Sequence, residues 1–280
     1  MNNPFIDKWI LITGGSSGIG LAIAGQLAGM GANVCLLARH PDKLADALVG
    51  LEQRRTSPQQ KFAAISADVS NETEVTAKLQ EWVSQAGTPD FLFNSAGVAH
   101  PGRFEELDME IFRWMMDVDY FGTLYVTKAI IPGMIQRKSG HIINFSSVAG
   151  LLGVYGYTAY GAAKFAVRGF SSVLRDEMRL HGIRVSVVYP PDVQTPQLEY
   201  EMPYKPAITK IIAGGKPISA DAAAKAIIQG VARKKYAITP GFDATLYFLA
   251  MSLAGWAEKP LMDFLVDDAQ RKIRSTKAKE

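Results

Sequence analysis

Apolar positions along the chain follow two alternating rhythms. Short dense runs, Lys8–Thr13 (KWILIT), Asn33–Ala38 (NVCLLA), Phe62–Ser66, Phe91–Asn94, His141–Ser146, Arg184–Tyr189 and Tyr236–Thr239, predict strands. Longer segments between them, Gly18–Met30, Pro41–Arg55, Asn71–Gln85, Leu107–Lys138, Thr158–His181 and Ala220–Arg233, predict helices. Ser70 or Asn71 is the expected N-cap of the third helix. Strands that alternate with helices imply parallel pairing and right-handed crossovers. Uninterrupted apolar runs such as VCLLA and VSVVY fit strands buried on both faces. The expected fold class is α/β, a doubly wound parallel sheet. With no internal repeat and no low-complexity linker, one catalytic domain is expected over residues 1–240, with an apolar, helical C-terminal extension over 241–280.

Two segments break the rhythm. Pro190–Ser219 holds Pro190, Pro191, Pro196, Pro203, Pro206 and Pro217, and a long irregular connection of this kind reads as a lid. Ala244–Ala257 (ATLYFLAMSLAGWA) carries no charge over fourteen residues. That is too short to span a bilayer comfortably and suits a buried, subunit-interface or membrane-surface helix. A basic tail follows, with Arg271, Lys272, Arg274, Lys277 and Lys279.

Composition narrows the classes. The 280 residues are 48% hydrophobic and 20% charged, enough for a large core. A net charge of +3 argues against nucleic acid as the main partner. The one cysteine, Cys35, lies in an apolar run, cannot form an internal disulfide and reads as a small buried hydrophobe. His40, His100, His141 and His181 lack ligand spacing, so no metal site is expected. Met1–Trp9 has no basic region followed by an apolar core, so no signal peptide is expected. Ile142–Ala163 is uncharged and long, but its Asn144, serines, tyrosines and glycines argue against a membrane span.

The chemistry begins at Thr13-Gly14-Gly15-Ser16-Ser17-Gly18-Ile19-Gly20, after the first strand and opening the first helix. Glycines let the backbone bend and a pyrophosphate approach, and free N–H groups at the helix start face it. A strand–glycine turn–helix unit is a strong dinucleotide signal, and the fold is therefore expected to be Rossmann-type. The predicted contacts are Gly14, Ser16, Ser17, Gly18, Ile19 and Gly20. The second strand ends in Ala38-Arg39-His40, with no acid to bind the ribose hydroxyls of NAD. Arg39, helped by Lys43, would pair with a 2′-phosphate, which points to NADPH.

Tyr160-Gly-Ala-Ala-Lys164 puts a phenol and an ammonium on one helix face. The cation is expected to lower the phenol's pKa, so that it can protonate an alkoxide. Alone the pair is weak; Ser147, thirteen residues earlier at a strand end, gives it context.

These motifs together resemble the short-chain dehydrogenase/reductase family over roughly residues 5–240. The resemblance implies catalytic roles for Ser147, Tyr160 and Lys164, with Tyr160 and Lys164 also at the nicotinamide ribose and Ser146 structural. It places Asp68 and Val69 at the adenine, and Asn94, Ala96 and Gly97 along the cleft, where Ser95 departs from the usual asparagine. It places Pro190, Val193 and Thr195 near the nicotinamide amide, with Pro191 where glycine is usual. Asp119 replaces an asparagine that helps hold a relay water.

Tyr189–Pro196 (YPPDVQTP), Ala38-Arg39, Gly156–Tyr160 and Phe165–Gly169 further resemble the family's 3-ketodihydrosphingosine reductases. That resemblance implies NADPH-dependent reduction of a keto-lipid in sphingolipid synthesis. Another carbonyl reductase or hydroxy-lipid dehydrogenase on the same scaffold is the alternative; a non-catalytic NADP-sensing protein is a remoter one, disfavoured by the intact Ser147, Tyr160 and Lys164. The family implies a homo-oligomer. The location expected is cytoplasmic, with peripheral membrane contact through the C-terminal segment as the sharper reading of that segment.

Overall fold

The computed structural model describes residues 3–212 and 215–277; Lys279 of the basic tail lies outside them. Among the described residues nine strands form: β1 (Trp9–Thr13), β2 (Asn33–Ala38), β3 (Phe62–Ser66), β4 (Phe91–Asn94), β5 (Gly140–Phe145), β6 (Ile183–Val188), β7 (Val193–Gln194), β8 (Ile218–Ser219) and β9 (Ala237–Ile238). The helices are α1 (Gly18–Gly29), α2 (Pro41–Glu52), α3 (Glu72–Ala86), α4 (Met109–Met115), α5 (Gly122–Arg137), α6 (Thr158–Arg179), α7 (Pro196–Glu201), α8 (Ala207–Ile212), α9 (Ala220–Ala232), α10 (Phe242–Ala254) and α11 (Glu258–Lys277).

Seven strands make one parallel sheet in the order β3-β2-β1-β4-β5-β6-β9. Side chains alternate across it, as a period of two requires. Ile10, Ile12, Val34 and Leu36 face α1 and α9 in one core layer, with Ile23, Leu27 and Ile227. Leu11, Cys35 and Leu37 face the other layer, with Val126, Ile130 and Leu174 from α5 and α6. Both faces are thus covered, which is why the strands carry no polar alternation. Cys35 is fully buried, and burial pushes its thiol far above the ordinary range. The sheet order reverses between β1 and β4, and ligands of open α/β sheets bind at such a point.

Two regions depart from the expected elements. The single helix expected over Leu107–Lys138 is broken by a π-helical turn, Met116–Phe121, between α4 and α5. Within the described residues of the expected lid, β7 and β8 pair with each other, and α7 and α8 lie between them. Thr195 caps α7, its Oγ accepting from the Leu198 N–H at 3.3 Å. Beyond the sheet, α11 packs on α8, and among the described residues no helix is long and apolar enough to cross a membrane. α10 buries only Ala244, while Leu246, Leu249, Leu253 and Trp256 are exposed, the last two at 84% and 83%. One face of the segment packs on the core, with Phe248 and Met251 against Leu151, Val187 and Tyr189, and the other faces solvent in the single chain. Arg271 and Lys272 both lie against Asp268, at 3.9 and 2.7 Å, so the tail is less basic than its composition implies.

Candidate active site

The glycine turn folds as it does because β1, β4 and α1 converge on it. Gly14 has φ +66° and its N–H donates to the Leu37 carbonyl at 2.8 Å. A Cβ on Gly14 would come within 2.9 Å of the Ala96 backbone, and one on Gly20 within 2.5 Å of the Gly14 carbonyl. Ser95 Oγ donates to Thr13 O (2.7 Å) and Ala96 N–H to Thr13 Oγ1 (3.0 Å), which ties β4's end to the turn. The serine in place of the usual asparagine thus has a structural partner of its own. At the start of α1, Ser17 makes no side-chain cap, leaving backbone N–H groups for an anion.

Asn94 sits behind the turn, fully enclosed, donating to Thr127 Oγ1 and Asn144 Oδ1, each at 2.9 Å. It braces the sheet rather than lining the cleft. Arg39 is half-exposed at the end of β2, with NH1 3.9 Å from Asp68 Oδ2. Asp68 also accepts from the Ser70 N–H and hydroxyl. Lys43 is exposed at the start of α2, and Val69 is buried against Gly122.

A cavity of about 370 Å³ runs from this turn along the sheet's C-terminal edge. Gly14, Ser17, Gly18, Ile19, Gly20, Ala96 and Gly97 line one end; Ser147, Tyr160, Lys164, Pro190, Val193 and Thr195 line the middle. Ser16, Arg39, Lys43, Asp68, Val69 and Asn94 lie outside its walls. Thr195 stands across from Gly18, where a Cβ would meet its methyl at 3.2 Å. The glycine-shaped cradle, the open helix start and a cavity joining them to Tyr160 fit a nicotinamide dinucleotide.

In the middle of the cavity, Lys164 is 4% exposed and donates to the Phe145 carbonyl at 3.2 Å. Ser146 Oγ donates to the Lys164 carbonyl (2.9 Å), a structural bond, whereas Ser147 opens into the cavity. The π turn places Asp119 under the site, 1% exposed. Its Oδ1 accepts from the Val98 N–H at 2.8 Å and lies 3.7 Å from Lys164 Nζ; Oδ2 has no hydrogen-bond partner. Burial pushes Asp119 up to about 6, against the pull of Lys164 and Val98.

The Tyr160 phenol is raised well above its ordinary range, by burial first and then by the carboxylates of Asp119 and Glu201; the Ser147 hydroxyl pulls the other way. The lysine-lowered phenol expected from the spacing is therefore corrected. Asp119 holds the Lys164 charge, and Lys164 Nζ stands 5.4 Å from the Tyr160 ring centroid.

A polar group missed in the sequence closes the lid side. Tyr157 Oη donates to Glu201 Oε2 (2.7 Å), Gln197 Nε2 to Oε1 (3.1 Å), and Lys205 Nζ to Asp192 Oδ2 (2.9 Å). The i, i+4 series Gln197, Glu201, Lys205 was the available signal. Leu152, Tyr247, Leu261, Met262 and Leu265 complete an apolar end.

Fold and site together define a nicotinamide-dependent oxidoreductase. The family described as short chain dehydrogenase matches residues 8–203, and the chain belongs to it. It is 36% identical over 250 residues to the 3-ketodihydrosphingosine reductase of Mus musculus, covering 89% of this chain and 75% of that one. It is 39% identical to the protein of that name from Dictyostelium discoideum, covering 82% and 74%. Among solved structures, a short-chain dehydrogenase from Streptomyces avermitilis superposes with TM-score 0.77 at 28% identity, covering 94% of this chain and 98% of that one. Levodione reductase superposes with TM-score 0.76 at 25% identity, covering 84% and 96%.

Proposed function

We propose that the chain uses NADPH to reduce the ketone of a long-chain sphingoid base, 3-ketodihydrosphingosine, to the secondary alcohol. The observation that carries this reading is the cavity's build: a Ser147–Tyr160–Lys164 centre between a glycine cradle and an apolar end walled by α10 and α11. The relatives' names supply the substrate. Gly14–Gly20, with the start of α1, would hold the pyrophosphate, Arg39 the 2′-phosphate, and Lys164 the ribose. When bound, the nicotinamide supplies hydride to the ketone carbon. Ser147 would orient the substrate oxygen. Tyr160, kept protonated by its buried, carboxylate-flanked setting, would give that oxygen its proton. Lys164, anchored on Phe145 O and Asp119, would help re-protonate the tyrosine.

A long acyl chain leaves the centre past the apolar end of the cavity, where Phe242, Leu261 and Phe264 are also exposed. This supports a membrane surface as the place where substrate is taken up. The test is NADPH oxidation with 3-ketodihydrosphingosine against a matched short ketone, with and without liposomes, and with Tyr160→Phe as the inactive control. Long-chain substrate should be turned over more efficiently, and liposomes should help it alone. Equal efficiency on the short ketone would leave only a general carbonyl reductase.

A further inference from the structure

Glu201 is a charged group that the reduction of a plain ketone has no use for. It is 6% exposed, lines the same cavity as Tyr160, and lies on the lid helix α7 rather than in the sheet. Its two oxygens accept one bond each, from Tyr157 Oη and Gln197 Nε2, both neutral donors. Each carboxylate oxygen can accept a second. The nearby cation, Lys205, is spent on Asp192 at 2.9 Å. Among the described residues no Lys, Arg or His comes within ion-pair distance of Glu201, so its carboxylate has no direct counter-ion and feels Lys205 only through space. A buried carboxylate without a counter-ion is costly, and burial accordingly raises the Glu201 acid above its ordinary range. A cation brought by the substrate would remove that cost.

Geometry says where the cation would sit. Tyr157 and Tyr160 lie either side of the start of α6 with ring centroids 5.6 Å apart. In the proposed reaction Tyr160 would meet the reacting carbonyl, and Tyr157 holds the Glu201 carboxylate at 2.7 Å, so a group next to that carbonyl would be on the Glu201 side of the cavity. We propose that Glu201 is a specificity residue that receives the protonated amine on the carbon next to the ketone, making the enzyme selective for α-amino ketones. The inference rests on the ketoreductase reading and goes beyond it, because the family's catalytic groups act on any carbonyl.

The experiment compares two ketones of equal chain length, one with the neighbouring amine and one with hydrogen in its place, in the same detergent. The wild type should prefer the amine in kcat/KM. Glu201→Gln, which keeps size and hydrogen bonding but not charge, should shrink that preference by about ten- to a hundred-fold, the scale of a hydrogen bond to a charged group. Glu201→Asp should restore part of it. N-acetylation of the substrate amine should reproduce the loss in the wild type without any variant. An equal loss on both ketones in Glu201→Gln, or a wild type indifferent to the amine, overturns the proposal while leaving the reductase reading intact. A wild type that reduces neither ketone overturns both.

Discussion

Asp119 carries a charge into the most enclosed part of the site, and its consequences are directional. Ionised, it stands opposite Lys164 and raises the Tyr160 phenol; protonated, it does neither. Its carboxyl has been pushed up to about 6, so the change falls just below neutral pH. A phenol held in its acid form suits reduction, where it gives a proton, and opposes alcohol oxidation, where it must accept one. Asp119→Asn keeps an oxygen for the Val98 N–H and removes the charge. Ketone reduction at pH 7 should survive. The rising limb of alcohol oxidation should move to lower pH, by about a unit or more for the loss of one nearby like-sign charge. A pH–rate profile of the oxidation measures this, and an unmoved limb would show that Asp119 does not set the tyrosine.

At the scale of elements, the end of β2 is where the proposed preference for NADPH is put to the test. Arg39 and Asp68 are half-exposed and only loosely paired, a contact worth little in water, so the guanidinium is free to turn to a phosphate. NADPH should outperform NADH in kcat/KM, and Arg39→Ala should erase about ten- to a hundred-fold of that preference. Equal wild-type values would remove Arg39's role.

The same scale shows what could be read in advance. Strands were visible because a sheet buried on both faces demands uninterrupted apolar runs, and the glycine turn because no other residue fits where Gly14 meets Ala96. The π turn was not, because one residue inserted into a helix leaves the apolar pattern of Leu107–Lys138 almost intact. Nor was Glu201. One of three acids in a proline-rich stretch, it looks solvated, and its i, i+4 spacing from Gln197 and Lys205 gains meaning only when α7 packs it against Tyr157. The Tyr160–Lys164 spacing was legible, but its electrostatic sense depended on Asp119, which the π turn brings in from another element.

For the whole molecule, the distinguishing feature is the apolar surface that α10 and α11 add beside the cavity. A leucine-sized side chain moved from water into hydrocarbon contributes about 1.5–3 kcal/mol, and several lie here together. The tail's Arg271 and Lys272 are partly answered by Asp268, so the proposed uptake at a membrane surface should depend on apolar contact and resist salt. Leu253→Glu with Trp256→Glu, at positions that face solvent, should abolish liposome stimulation of the long-chain substrate and spare turnover of a short soluble ketone. Vesicle co-sedimentation in low and high salt would check the cause. Stimulation that persists in the double variant would assign this face to another partner.

The burial of Cys35 also determines how the molecule can be labelled. With its thiol sealed inside the sheet and held far from thiolate, the native protein should stay unmodified by maleimide at neutral pH and react only on unfolding, as intact mass would record. A cysteine placed on the lid by Tyr204→Cys, at a position 48% exposed, would then be the one reactive thiol. A fluorophore attached there would report whether this segment moves during single turnovers, with no background dye to subtract.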